Sequence, residues 1–205
     1  MMKKIITISR QYGAGGSKLG HLLSKELNIP LYNHQLLTEI GKMTGIDENI
    51  LRVIDENADR QRTSKLLDYI PEEAQKILKT ETVFDTNSFY TMQEKTIRVL
   101  AEKGPCIFIG RQADFALKDR EDVLSIFLYG DKEYRIDRMV KRTGKSEEEI
   151  AQELRRIDKE RRNYCKYYTR REWGDYRNYD YSFNCATLSM EKISEIILQE
   201  VKYYA

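Results

Sequence analysis

The 205-residue sequence has only two histidines, His21 and His34, and three cysteines, Cys106, Cys165 and Cys185. A histidine-based metal centre has little to build on. The cysteines are odd in number, scattered and lack a C-x-x-C pair. They offer no disulfide or metal framework and suit a reducing cytoplasm. No apolar run approaches the roughly 18–20 residues that span a membrane. Met1-Met2-Lys3-Lys4 could open a signal peptide, but the apolar run behind it is short and leads straight into a loop, so it reads as a strand. Formal net charge is +2, too near zero to argue for a nucleic-acid partner. Repeats, low-complexity tracts and linkers are absent, so 1–205 reads as a single domain with one core. Composition names no oligomeric state.

What is present begins with Ile5-Ile6-Thr7-Ile8, an apolar, β-branched run typical of a buried parallel strand. A loop with Gly13, Gly15 and Gly16 follows. Leu19, Leu22, Leu23 and Leu27 then recur at helical spacing. Strand, glycine loop and helix together cradle phosphate: glycine lets backbone N–H groups approach an anion, and the helix N-terminus adds partial positive charge. The candidate cradle is Gly13, Ala14, Gly15, Gly16, Ser17 and Lys18. A turn without ligand is the plain alternative. Against the Walker A pattern G-x-x-x-x-G-K-[ST], Gly15 and Ser17 match the last glycine and the Mg²⁺-side hydroxyl. Gly16 stands where the lysine belongs, and Arg10 where the first glycine belongs. Arg10 and Lys18 are the cations near enough to substitute. Arg10 is preferred, because it lies at the strand end and can reach back across the loop.

The rest alternates strands and helices. Leu31-Tyr32 ends a short second strand at Asn33, and 35–56 reads as helical, with Asp47 capping its second half. Met92, Thr96, Val99 and Leu100 mark a helix face over 91–103. Cys106–Ile109 is a strand leading to Gly110-Arg111-Gln112-Ala113-Asp114. Ligands of open α/β sheets sit beyond the carboxyl ends of strands, which favours Arg111 and Asp114. Arginine suits the place because its planar fork pairs two phosphate oxygens; a strand-end salt bridge is the plain alternative. A strand over 122–128 follows, then a helix capped by Asp131, with Arg135, Arg138 and Arg142 on one face. Ser146 to Glu149 is a capping box for a very basic helix ending near 170. A strand over 181–184 and a helix capped by Ser189 close the chain. This alternation predicts an α/β fold with a parallel sheet flanked by helices.

ISRQYGAGGSKLG, IPLYNHQLL, GPCIFIGRQAD, EYRIDRM and IDKERRNYCKYY resemble the cytidylate kinase-like family, P-loop relatives of the nucleoside monophosphate kinases with an altered P-loop. The resemblance runs almost to the C-terminus. It implies a P-loop NTPase three-layer sandwich with a helical lid over 131–171 and an acceptor-binding insertion over 57–90. It also implies ATP and Mg²⁺, with Ser17 on the metal. It places Asn33 near the acceptor nucleotide and Arg111 on the nucleotide monophosphate. Arg138, Arg161 and Arg162 are lid cations, and Asp158 either contacts ligand or orients Arg161 or Arg162. True cytidylate kinases carry acids beside the Gly-Arg motif. Here Ile109 and Gln112 fill those places, and Asp114 is the nearest carboxylate.

Three functions are compatible with these residues. The first is phosphoryl transfer from ATP to a nucleoside monophosphate such as CMP, catalysed by Arg10, Arg111, Arg138 and Arg161. The second is a nucleotide-binding or sensing protein with little or no turnover, favoured by the missing lysine and acids. The third is an RNA-binding arm over 155–171, where basic residues interleave with tyrosines. A merely solvated helix with i,i+4 ion pairs is the plain reading of that arm.

Overall fold

The computed structural model describes residues 4–57 and 86–203. Most of the insertion expected over 57–90 lies outside the described residues. Those described fall into two compact units, one of residues 4–33 and 100–203, the other of residues from 34–99.

The first unit is built on five parallel strands: β1 (Ile5–Arg10), β2 (Leu31–Tyr32), β3 (Cys106–Ile109), β4 (Val123–Tyr129) and β5 (Tyr181–Asn184). Their order is β2-β3-β1-β4-β5, so the glycine loop leaves the central strand. Register pairs Ile8 with Ile109 and Ile126, and Arg10 with Leu128. The carboxyl ends of β1, β3 and β4 therefore finish at one edge, where open α/β sheets bind ligands. One sheet face is covered by α1 (Gly16–Leu27) and a C-terminal helix, Met190–Tyr203. Ile6, Ile8, Leu124, Ile126, Leu128 and Phe183 meet Leu19, Leu23, Ile193 and Ile197 there. Each such buried side chain contributes about 1.5–3 kcal/mol, so this face fixes α1 firmly beneath the loop.

The second unit contains α2 (Gln35–Thr44), α3 (Glu48–Asn57) and the start of α4 (Thr86–Lys103). The helix expected over 35–56 is two helices, because Gly45 ends α2 in the left-handed region at φ 74°. Asp47 does cap the second, accepting from Asn49 N at 2.8 Å. On α4 the buried face is Gln93, Thr96, Ile97 and Leu100, while Val99 is exposed. The expected face was misplaced because polar Gln93 lies inside it.

Returning to the first unit, α5 (Ala113–Ala116) is a single turn after β3. The long basic segment is a hairpin of α6 (Lys132–Thr143) and α7 (Glu147–Thr169). Asp131 holds the N-cap position of α6 without a side-chain cap bond. Ser146 and Glu149 form the full capping box of α7. The C-terminal helix, α8 (Met190–Tyr203), starts with Ser189 Oγ accepting from Lys192 N at 3.1 Å. Among the described residues, no helix is long and apolar enough to cross a membrane.

Candidate functional site

The loop between β1 and α1 is shaped by its own backbone. Gln11 N donates to Leu128 O at 2.9 Å, and Ala14 N to Gln11 O at 3.2 Å. Gly13 and Gly15 adopt φ 80° and 103°, a region that costs other residues strain. Helix α1 then opens at Gly16 with no side-chain cap. Its first N–H groups have no intrahelical partner, and its dipole favours an anion at this end.

Arg10 crosses this loop. A Cβ at Gly16 would come within 2.9 Å of Arg10 Cγ, and one at Gly110 would collide with Arg10 Nη1. The arginine therefore lies against two glycines, one opening α1 and one following β3. Gly110, Arg111 and Gln112 have φ 71°, 62° and 53° in succession. Two of the three are not glycine, which stores of order 1–3 kcal/mol each at the strand end.

Arg111 and Arg161 complete a cationic cluster. Burial, then the charges of Arg161 and Arg111, pushes the Arg10 guanidinium well below its ordinary value. Arg111 is pushed down by burial and by Arg161, with Tyr164 acting in the opposite sense. Arginine does not deprotonate in proteins, so the three remain charged and their proximity is unfavourable.

The α6–α7 hairpin grips the loop at several atoms. Arg161 Nη1 donates to Arg10 O at 2.8 Å, and Arg138 Nη1 to Gly13 O at 2.7 Å. Tyr12 is held three times. Its N–H donates to Asp158 Oδ1 at 2.8 Å, its carbonyl accepts from Arg135 Nη1 at 3.0 Å, and its hydroxyl donates to Glu153 at 2.9 Å. Arg135 also bonds Asp158 Oδ2 at 2.6 Å and Gly130 O at 2.9 Å. Arg135 and Asp158 are both buried.

The structure thus brings Arg111 and Arg161 up to Arg10, which lies against Gly16, and lays Arg138 over Gly13 and Gly15. Ser17 sits in the first turn of α1, half-buried, and Asn33 follows β2 at the same carboxyl edge. Three expected residues point elsewhere. Lys18 Nζ pairs with Glu191 of α8 at 2.7 Å. Asp158, expected either to contact ligand or to orient Arg161 or Arg162, accepts from Arg135 and from the Tyr12 N–H. Arg162 lines a cavity with Gln11 and several aromatic rings. Arg135 and Tyr12 are the residues that sequence reasoning left without a role. Arg135 was visible in the Arg135–Arg138–Arg142 stripe, whereas nothing in the spacing singles out Tyr12.

Asp114 is buried and accepts from Ser9 Oγ at 3.2 Å. Burial raises its carboxyl above the usual 3.8, against the lowering effects of Ser9 and Arg171. The folded state therefore holds that proton more tightly than the unfolded chain. This contribution to stability is full below the unfolded value and is lost as pH rises through the folded one. From about pH 4 upward, urea midpoints should fall more steeply for wild type than for Asp114→Asn. Parallel curves would contradict the burial argument.

No group of three His, Cys, Asp or Glu residues among the described residues is placed to hold a metal. A magnesium ion here would take Ser17 Oγ and oxygens of a nucleotide, the usual mode for a cation that keeps much of its water.

A family model described as the cytidylate kinase-like family matches residues 5–187. A cytidylate kinase from Archaeoglobus fulgidus is 31% identical over 111 residues, 53% of this chain and 60% of that protein. The match thus spans about three-fifths of that relative's length. An uncharacterized protein from Eubacterium ventriosum has a similar structure, with TM-score 0.71, 24% identity and 97% and 98% of the two chains covered. A shikimate kinase from Bacteroides thetaiotaomicron gives TM-score 0.52 at 15% identity over 97% and 98%. A gluconokinase from Sinorhizobium meliloti gives 0.53 at 14% over 100% and 94%. At these identities the solved structures establish the fold, a parallel α/β sheet of the P-loop kinase type.

Proposed function

This chain belongs to the cytidylate kinase-like family, and we propose that it transfers the terminal phosphoryl group of ATP to a nucleoside monophosphate, with CMP the first acceptor to test. The observation that carries the reading is the cluster of Arg10, Arg111 and Arg161 at the open N-terminus of α1. Three guanidinium groups gathered near the uncapped N-terminus of α1 suit a polyphosphate. Positioning and charge stabilisation supply most of phosphoryl-transfer catalysis, so no protein nucleophile is needed.

Each residue then has a task. Backbone N–H groups of 13–17 hold the donor phosphates. Arg10 stands in for the absent lysine, and Arg111 binds the acceptor phosphate. Arg138 and Arg161 neutralise charge as the group moves. Ser17 Oγ would help hold a magnesium ion, which would supply further charge neutralisation. The α6–α7 hairpin serves as the lid, and the segment over 57–90 as the acceptor-binding insertion.

A second reading, binding without turnover, draws on Asp114. The nearest carboxylate to Arg111 in sequence is buried against Ser9, and Asn33 cannot act as a base. One assay decides between them: ADP production from Mg·ATP with CMP, dCMP, UMP, AMP, GMP and free nucleosides. Acceptor-dependent ADP is expected. Silence across the panel with ATP still bound would select the sensor.

A further inference from the structure

The opposite side of the same chain segments carries a second pocket. Gln11, Phe127, Tyr129, Arg162, Trp173, Gly174, Tyr176 and Ser182 line a cavity of about 330 Å³. Phe127 and Tyr129 of β4 and Ser182 of β5 share one sheet face, by strand alternation and the pairing of Phe127 with Ser182. The core on α1 and α8 uses the other face, through Leu124, Ile126, Leu128 and Phe183. The cavity and the phosphate site are linked through the chain: Arg10 and Arg161 face the loop, and their sequence neighbours Gln11 and Arg162 face the cavity.

Its walls are built. Phe127 is stacked on Tyr179 at 4.9 Å between centroids and meets the Trp173 edge at 5.5 Å. Gly174 adopts φ 81°, and a Cβ there would come within 3.1 Å of Phe127, so only glycine lets the turn close on that ring. Asp175 caps the following turn and binds Arg177. Gln11 is fixed by accepting from Gly130 N at 3.1 Å. Phe127 is thus committed to the wall, while Tyr129 and Tyr176 are 38% and 74% exposed and offer uncovered ring surface.

The charge is one-sided. The nearest acids in sequence are already taken, Glu160 by Arg156, Glu172 by Lys166 and Asp175 by Arg177. Among the described residues no carboxylate pairs with Arg162. Mostly aromatic walls with a few convergent polar groups, at a volume of roughly 300–1,000 Å³, are what small-molecule sites have in common. We propose that this cavity binds a planar aromatic or heteroaromatic ring bearing one anionic group, with the ring against Tyr129 and Tyr176 and the anion on Arg162. The site meets the phosphate loop only at Gln11 and does not depend on the kinase reading.

Trp173 is the single tryptophan in the chain, so its fluorescence reports on this cavity. The probes are benzoate and pyridine-3-carboxylate, with neutral benzamide and inorganic phosphate as single-feature controls. Saturable fluorescence changes are expected for the two ring anions, with benzamide and phosphate each binding at least about tenfold more weakly. Arg162→Ala should bring benzoate down to the benzamide level. Tyr176→Ala, at an exposed position that does not threaten folding, should weaken both anions by a similar factor. Titrations repeated with ATP present should be unchanged. The proposal is overturned if neither anion gives a saturable change, if benzamide matches benzoate, if both variants bind as wild type does, or if ATP displaces the ring anions.

Discussion

Replacing Arg10 with alanine is expected to lower kcat/KM for phosphoryl transfer about 10²–10³-fold, the scale of losing one preorganised charge donor. The side chain lies over Gly16 at the start of α1 and against Gly110 after β3, between the two places where phosphates would sit. Gly16 stands where a P-loop lysine would follow Gly15, and Lys18 pairs with Glu191, so the proposed bridging role goes to Arg10. Arg10→Lys should recover part of the loss, because it restores charge without the planar fork. Stability should hold or rise in Arg10→Ala, whereas Arg10→Lys keeps the buried charge and gains no such relief. Burial and two like charges oppose Arg10 in the free protein, so removing it relieves the fold. Steady-state kinetics with the acceptor found in the panel, together with ATP affinity, test this. Turnover and affinity equal to wild type would sink the assignment.

Asp158→Ala should cost about 3–5 kcal/mol of stability, the scale for stripping one partner from a buried ion pair. Asp158 receives the Tyr12 N–H at 2.8 Å and Arg135 at 2.6 Å, with both charged groups buried. Alanine leaves the Arg135 charge on the carbonyls of Tyr12 and Gly130 alone, and leaves the Tyr12 N–H without its acceptor. Asp158→Asn should cost less, since it keeps an acceptor for Tyr12. The urea midpoint gives the answer. A loss below about 1 kcal/mol, as for a surface pair, would show that the pair is not holding the loop. Activity should fall alongside stability, because Tyr12 sits between Arg10 and Gly13 and any shift there moves the cradle.

The two variants separate two kinds of arginine that look alike in the sequence. Arg10 is buried near two like charges and lies against Gly16 and Gly110. Arg135 bonds the carbonyls of Tyr12 and Gly130 and the carboxylate of Asp158, and so holds the loop. Arg156 is a third kind, exposed and paired with Glu160 one helical turn away, as the plain reading of this helix expects. Counting basic residues cannot sort them, because the sorting depends on what each guanidinium meets across the fold.

Local pattern was enough for the elements. The β-branched run at Ile5–Ile8, the alternation of apolar strands with amphipathic helices, and the Ser146–Glu149 capping box are short-range chemistry, and each appears where spacing puts it. Placing Arg10 and Arg111 at strand ends followed from the same periodicity. Boundaries failed where a single residue decided them: Gly45 splits a helix that periodicity runs through, and buried Gln93 shifts the face of α4.

By itself, then, the sequence determined the parallel α/β fold, the glycine cradle and the candidate cations, because strand and helix periodicity and glycine conformation are local properties. Tertiary structure decided the partners. It brought Arg111 and Arg161, far apart in the chain, up to Arg10. It gave Asp158 to Arg135 and Tyr12, buried Asp114 against Ser9, and turned Lys18 toward Glu191. Those pairings depend on strand order and on how the α6–α7 hairpin crosses the loop, over separations of up to 173 residues. No local preference encodes them; packing alone brings the groups within hydrogen-bond reach.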